Sequence, residues 1–175
     1  MANRTETIVL GGGCFWCIEA VYRRIEGIVS TRPGYAGGRT ADPTYKQVCT
    51  GETGHAEVVE VAFDPDVIGL DSVLEVFWRA HDPTTLNRQG GDVGTQYRSA
   101  VYWTDAGQKG VVEASLAALA ASGAYADPPV TETGPLEAFW PAEDYHRDYF
   151  EGNRSQSYCR LVITPKLHKL ALLED

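Results

Sequence analysis

An apolar run at Glu6 to Leu10 stops on three consecutive glycines, and a helical period begins directly behind them. Cys14, Ile18, Val21 and Ile25 recur at spacings of four, three and four, which predicts an amphipathic helix with Cys14 on its core-facing stripe. Gly11, Gly12 and Gly13 carry no Cβ, so the backbone can turn sharply there and admit a close-lying ligand. A thiol in the first turn of a helix lies near the positive end of the helix dipole and near unpaired N–H groups, and both favour thiolate. The alternative is a small buried hydrophobe, the common fate of a free cysteine, and the local residues leave both readings open.

With 175 residues the chain is expected to form a single catalytic domain. Its core would span about 6–140, with a C-terminal segment over about 141–175. The net charge of −9, without a cluster of Lys and Arg, argues against a nucleic-acid partner or an anionic membrane surface. Met1 to Glu6 lacks a basic segment leading into a long apolar run, so no secretory signal or membrane span is expected and the cytoplasm is the default location. Four cysteines are too few for a disulfide scaffold of this length, and in a reducing compartment they read as catalytic, metal-binding or inert.

Further along, Val29 to Ala36 reads as a strand, with Pro33 confining that position to an edge or a bulge. Gly37 to Gly54 reads as a loop that carries Tyr45 and Cys49, the latter expected to be buried and inert. His55 to Phe63 is the strongest strand, and period two puts Glu57 on the face of Val59, Val61 and Phe63. A carboxyl on a buried face is raised in pKa by desolvation and keeps its proton. Leu70 to His81 reads as a packing helix, Asp82 to Arg98 as a long polar connection holding Asp92 and Tyr97, and Ser99 to Trp103 as a strand. Asp105 caps an alanine-rich helix to about Ser122. Val130 to Thr133 is extended, and Ala142 to Phe150 reads as a brief helix before the polar run Glu151 to Ser157 and Cys159. This order predicts an α+β fold: a split βαβ, ferredoxin-like, two-layer sandwich with a mainly antiparallel mixed sheet and a long irregular C-terminal segment.

Cys14-Phe15-Trp16-Cys17 is a Cys-x-x-Cys at a strand-to-helix junction, which admits a thiol-disulfide oxidoreductase. A metal site would need two more ligands from Cys49, Cys159 or a histidine, and no second paired motif exists. His55, His81, His146 and His168 are scattered and read as surface or packing residues.

A third reading comes from resemblance. The chain resembles the A-type peptide methionine sulfoxide reductases through Gly13-Cys14-Phe15-Trp16, Gly34-Tyr35-Ala36-Gly37-Gly38 with Pro43-Thr44-Tyr45, and Thr53-Gly54-His55-Ala56-Glu57-Val58. The likeness continues in His81-Asp82-Pro83-Thr84, Asp92-Val93-Gly94-Thr95-Gln96-Tyr97-Arg98-Ser99 and Pro141-Ala142-Glu143-Asp144-Tyr145-His146. The resemblance implies reduction of the S epimer of methionine sulfoxide, free or in proteins, by a monomer that uses no cofactor and is regenerated by thioredoxin. It implies Cys14 as nucleophile, passing through a sulfenic acid to an intramolecular disulfide, and Glu57 as general acid. Tyr45 and Tyr97 would donate to the sulfoxide oxygen, Asp92 would hold a water or the substrate backbone, and Phe15 and Trp16 would wall the pocket for the methyl group. The resolving thiol is either Cys159, whose polar run Glu151 to Ser157 would let it move, or Cys17, which stands where the family more often has glycine. Cys159 is the preferred expectation, because a resolving thiol needs access.

Overall fold

The computed structural model describes residues 4–172. Strand β1 (Glu6–Gly12) carries two of the three glycines and leads through Gly13 into helix α1 (Phe15–Tyr22). Gly13 has φ +91°, which a side chain would strain, and a Cβ there would also collide with Gln89. Helix α1 stops three residues before the Ile25 that the spacing suggests. Strand β2 (Ile28–Ala36) follows, then α2 (Tyr45–Cys49) and β3 (Ala56–Phe63). Helix α3 (Leu70–Ala80) precedes the small hairpin β4 (Arg88–Gln89) and β5 (Asp92–Val93). After β6 (Ser99–Trp103) come α4 (Lys109–Ser122), β7 (Glu132–Pro135) and β8 (Phe139–Pro141).

Six strands form one sheet in the order β7-β6-β1-β3-β2-β8, antiparallel throughout except for the parallel pair β6 and β7. Leu10 pairs with Val59, Gly12 with Ser99, and Tyr35 with Glu57. These pairings bring the end of β1, the start of β3, the end of β2 and the start of β6 to one edge of the sheet. Cys14, Glu57 and Tyr97 are adjacent to that edge because each lies within a few residues of these strand ends. The main core lies between the sheet and the helices, where Ile8, Leu10, Val59, Val61 and Phe63 meet Ile18, Leu74 and Phe77. A smaller cluster of Val9, Ala36, Val58, Ala100 and Tyr102 covers the opposite face. Helix α3 is tied to α4 by the Trp78 indole N–H donating to Ser115 Oγ at 2.8 Å.

Several expectations are corrected. The stretch Gly37 to Gly54 is not all loop: Thr44 caps α2, its hydroxyl accepting from the Gln47 N–H while the Gln47 side chain accepts from the Thr44 N–H. Cys49, expected to be buried, is exposed. Pro33 sits in register opposite Val59, just before the part of β2 that β8 covers, and the bulge lies instead between Ile28 and Ser30. The extended piece near Val130 begins at Glu132. Ala142 to Phe150 is not one helix. It is a 3-10 turn, Asp144–His146, then α5 (Tyr149–Gly152), with Asp148 at φ 51° between them. The C-terminal segment is also not irregular, since a π-helical turn, Cys159–Ile163, runs directly into α6 (Thr164–Lys169). Buried Glu19 of α1 fastens this segment down, accepting from the Asp148 N–H at 2.6 Å and from Thr31 Oγ1 at 2.8 Å.

Candidate active site

Cys14 is the N-cap of α1 and is 8 % exposed. Its carbonyl accepts the Cys17 N–H at 3.1 Å, and the two thiols are close enough that each shifts the pKa of the other. Burial raises the Cys14 thiol well above the usual range, reinforced by the neighbouring Cys17 thiol and by the charges of Cys17 and Glu57. The Trp16 N–H at the helix start works the other way but is outweighed. When the pair ionises, the negative charge therefore falls first on Cys17, which is lowered to about 7. The Cys14 thiol drives that shift, and the Lys166 ammonium and the Tyr158 hydroxyl add to it, against burial and the charge of Asp92. Helix-start activation of Cys14 is thus present, but the thiolate that the dipole argument assigns to Cys14 belongs to the pair.

Glu57 lies on the buried face of β3, as period two predicts, and is 1 % exposed. Its Oε1 accepts the Phe15 N–H at 3.2 Å, while Oε2 is buried without a partner. Burial pushes its pKa up to about 8, with further push from Asp92 and Cys17, so at neutral pH it holds a proton that it can donate. Tyr45 opens α2 and Tyr97 ends the 3-10 turn Thr95–Tyr97. Burial first, and then the charge of Glu57, keeps both phenols protonated far above their ordinary range. Tyr97 also feels Asp92, Cys49 and Cys14, which places these groups around one centre.

Phe15 packs its ring against Tyr35, Tyr45 and His146, with centroids at 5.7, 6.2 and 4.9 Å. Trp16 stacks flat on Tyr149 at 3.8 Å, and its indole N–H donates to His146 Nδ1 at 2.9 Å. An indole N–H can only donate, so Nδ1 is bare and the His146 proton sits on Nε2, which is buried without a partner. Asp92 Oδ2 accepts from the Tyr158 hydroxyl at 2.7 Å, and that hydroxyl is also 3.7 Å from Cys17 Sγ. Cys159, the neighbour of Tyr158, is 0 % exposed.

The structure therefore gathers Cys14, Cys17, Glu57, Tyr45, Tyr97, Asp92, Phe15 and Trp16 at one place, and sets Cys159 in the core behind them. A protonated carboxyl, two phenols and a thiol pair at an aromatic wall can deliver a nucleophile and a proton to a small polar group on an apolar side chain. The comparisons agree. The family model for peptide methionine sulfoxide reductase matches residues 6–174. The chain belongs to that family. The peptide methionine sulfoxide reductase MsrA of Natronomonas pharaonis is 53 % identical over 163 residues, covering 93 % of this chain and 92 % of that protein. Mxr1 from Saccharomyces cerevisiae in reduced form superposes with a TM-score of 0.80 at 36 % identity, over 89 % of this chain and 90 % of that one. Mxr1 in complex with Trx2 matches with a TM-score of 0.56 at 25 % identity, over 85 % and 89 % of the two chains.

Sequence reasoning missed several residues of the site, Tyr158 beside Asp92 and Cys17 among them. His146 reads as a packing histidine and does pack, but against Phe15, Trp16 and Tyr45 of the pocket. Glu143 was passed over, yet its carboxylate accepts from Tyr35 Oη at 2.8 Å and from the Tyr45 N–H at 2.9 Å. Glu143 and His146 lie inside the Pro141 to His146 block that carries the family resemblance, which is the one signal that points to them.

Proposed function

We propose that the protein reduces the S epimer of methionine sulfoxide, free or in proteins, at the centre built around Cys14. The observation that carries this reading is a buried Glu57, still protonated at neutral pH, set beside the Cys14 and Cys17 pair. Cys14 sulfur attacks the sulfoxide sulfur while its own proton passes to Cys17, and Glu57 gives its proton to the sulfoxide oxygen. Tyr45 and Tyr97 hold that oxygen as charge develops on it. Phe15 and Trp16 receive the methyl group, and Asp92 accepts from the substrate backbone or a bound water. Methionine leaves reduced by two electrons, and the oxygen remains on Cys14 as a sulfenic acid.

Cys17 is the better-supported resolving thiol. Its sulfur attacks the Cys14 sulfur, the oxygen departs as water with the proton Cys17 had taken up, and a Cys14–Cys17 disulfide closes. The one-turn spacing of the two residues, with the Cys17 N–H on the Cys14 carbonyl, supports this order, and the complete burial of Cys159 speaks against its acting first. Thioredoxin then opens the disulfide, a partner supported by the yeast relative solved in complex with Trx2. No described helix is long and apolar enough to cross a membrane. Four free thiols among the described residues suit the reducing cytoplasm. The whole chain acts as one catalytic domain, since the sheet, α1 and the C-terminal segment all supply the centre. The central strand order β6-β1-β3-β2, all antiparallel, supports the split βαβ description of the core.

The test is Cys14→Ser assayed with methyl p-tolyl sulfoxide and dithiothreitol. Turnover falls to the background rate, and substantial residual activity overturns the assignment. A plain dithiol oxidoreductase would instead reduce insulin without any sulfoxide present.

A further inference from the structure

Beside the thiol pair lies a cleft of about 660 Å³ whose wall includes Cys14, Cys17 and Asp92. Three cationic side chains converge on it from two elements, Arg79 from α3 and Lys166 and Lys169 from α6. Among the described residues none of the three is in an ion pair. Lys166 is half-buried, and its ammonium is near enough to Cys17 to favour the thiolate there. The two carboxylates on the same wall are already engaged: Asp82 accepts from the Thr84 N–H at 2.9 Å, and Asp92 from Tyr158. Lys166 faces the Cys17 thiolate, which leaves Arg79 and Lys169 as the cations of this wall without an anion, in a chain whose net charge is −9. Two unpaired, exposed cations on an otherwise acidic chain mark this wall as a place where a further anion is favoured.

The position of Cys14 sets what that anion is attached to. When the sulfoxide side chain reaches the thiol, the residues on either side of it must run along the cleft walls. An extended peptide advances about 3.3 Å per residue, so side chains one or two positions from the sulfoxide lie farther along the wall that Arg79 and Lys169 share with Cys14. Resting on the reductase reading above, we propose that this cleft selects protein segments in which the oxidised methionine is flanked by aspartate or glutamate, with Arg79 and Lys169 pairing those carboxylates. Such pairs form at a partly exposed site. They act on encounter and on KM more than on the chemical step, and they weaken with salt.

The experiment uses three blocked pentapeptides with methionine sulfoxide at the centre, flanked on both sides by two glutamates, two serines or two lysines. Dithiothreitol, which is uncharged, serves as reductant, so the peptide alone carries the charge difference. At low ionic strength kcat/KM for the glutamate peptide should exceed that for the lysine peptide by roughly tenfold, chiefly through KM, and the gap should narrow to about twofold at ~0.5 M salt. Arg79→Gln with Lys169→Gln, both at exposed positions, should erase the preference, and Lys169→Glu should reverse it. Equal kcat/KM for all three peptides at low salt overturns the proposal, as does a preference that survives the double substitution. If no peptide and no small sulfoxide is reduced, the reductase reading itself fails, an outcome distinct from loss of selectivity.

Discussion

At the scale of single residues, the site is a matter of where protons sit. Cys17, at about 7, must lose its proton before Cys14 can hand one over, while Glu57, at about 8, must keep one to give to the oxygen. Single-turnover reduction should therefore rise with pH through about 7 and fall through about 8, a narrow bell whose apparent constants belong to the coupled groups. Glu57→Gln should lower the rate by roughly 10²-fold or more and abolish the alkaline limb. A variant with an unchanged rate and an unchanged alkaline limb would remove Glu57 from the role of acid. Glu57 was legible in the sequence because period two on a Val-rich strand places its carboxyl in the apolar layer. The charge state of Cys14 was not, because helix-start position speaks for thiolate while burial and a neighbouring thiol, visible only in the fold, speak more strongly against it.

At the scale of elements, the smallest helix is the most exposed to change. Helix α2 has five residues, too few to hold itself in water, and it presents Tyr45. Its start is held by the Thr44 and Gln47 box and by Glu143, which takes the Tyr45 N–H with one oxygen and the Tyr35 hydroxyl with the other. Glu143→Ala frees both donors, so Tyr45 loses its fixed position over the pocket. We expect kcat/KM to fall by about tenfold, a part of what losing a whole oxygen-binding donor costs. Glu143→Gln keeps one acceptor: its Oε1 can take the Tyr45 N–H while the amide NH2 donates to the Tyr35 hydroxyl oxygen, so the variant should retain most of the activity. Equal losses in the two variants would count against positioning by hydrogen bonds. The sequence reads this stretch as loop because five residues are too few to display a helical period. The Thr-x-x-Gln at 44–47 was nonetheless a start signal in plain view. The long elements β1, β3, α3 and β6 were read close to their observed bounds, since each repeats its apolar period several times. The C-terminal helices were not, because their polar sequence follows contacts such as Glu19 with Asp148 that no local pattern encodes.

At the scale of the whole molecule, two buried ionisable groups with opposite preferences shape stability against pH. His81 is buried at 5 % exposure, with Nδ1–H donating to the Phe77 carbonyl and Nε2 accepting from the Ser99 hydroxyl, and burial lowers its pKa to about 3. Between about 3 and 6.5 the unfolded chain binds a proton here that the folded one refuses, so this group makes stability rise with pH. Glu57 does the reverse. From its ordinary 4.5 to about 8 the folded chain holds a proton that the unfolded one releases, so stability falls as pH rises. Each slope approaches about 1.4 kcal/mol per pH unit, and between pH 4.5 and 6.5 the two cancel. His146, lowered by burial, and Glu19, raised by burial, add one slope of each sign, so the native protein should change little across this window, with the acid limb below it steepened by Glu143 and Glu151, whose partners hold their carboxyls below the usual range. In Glu57→Gln the His81 slope is unopposed, and stability measured by denaturant unfolding should climb by about 2 to 3 kcal/mol across those same two units. Because the other carboxylates titrate alike in both proteins, the difference between the two profiles isolates Glu57. Parallel profiles would mean that Glu57 enters the fold with its ordinary pKa, and the proton assigned to the sulfoxide oxygen would have to come from elsewhere.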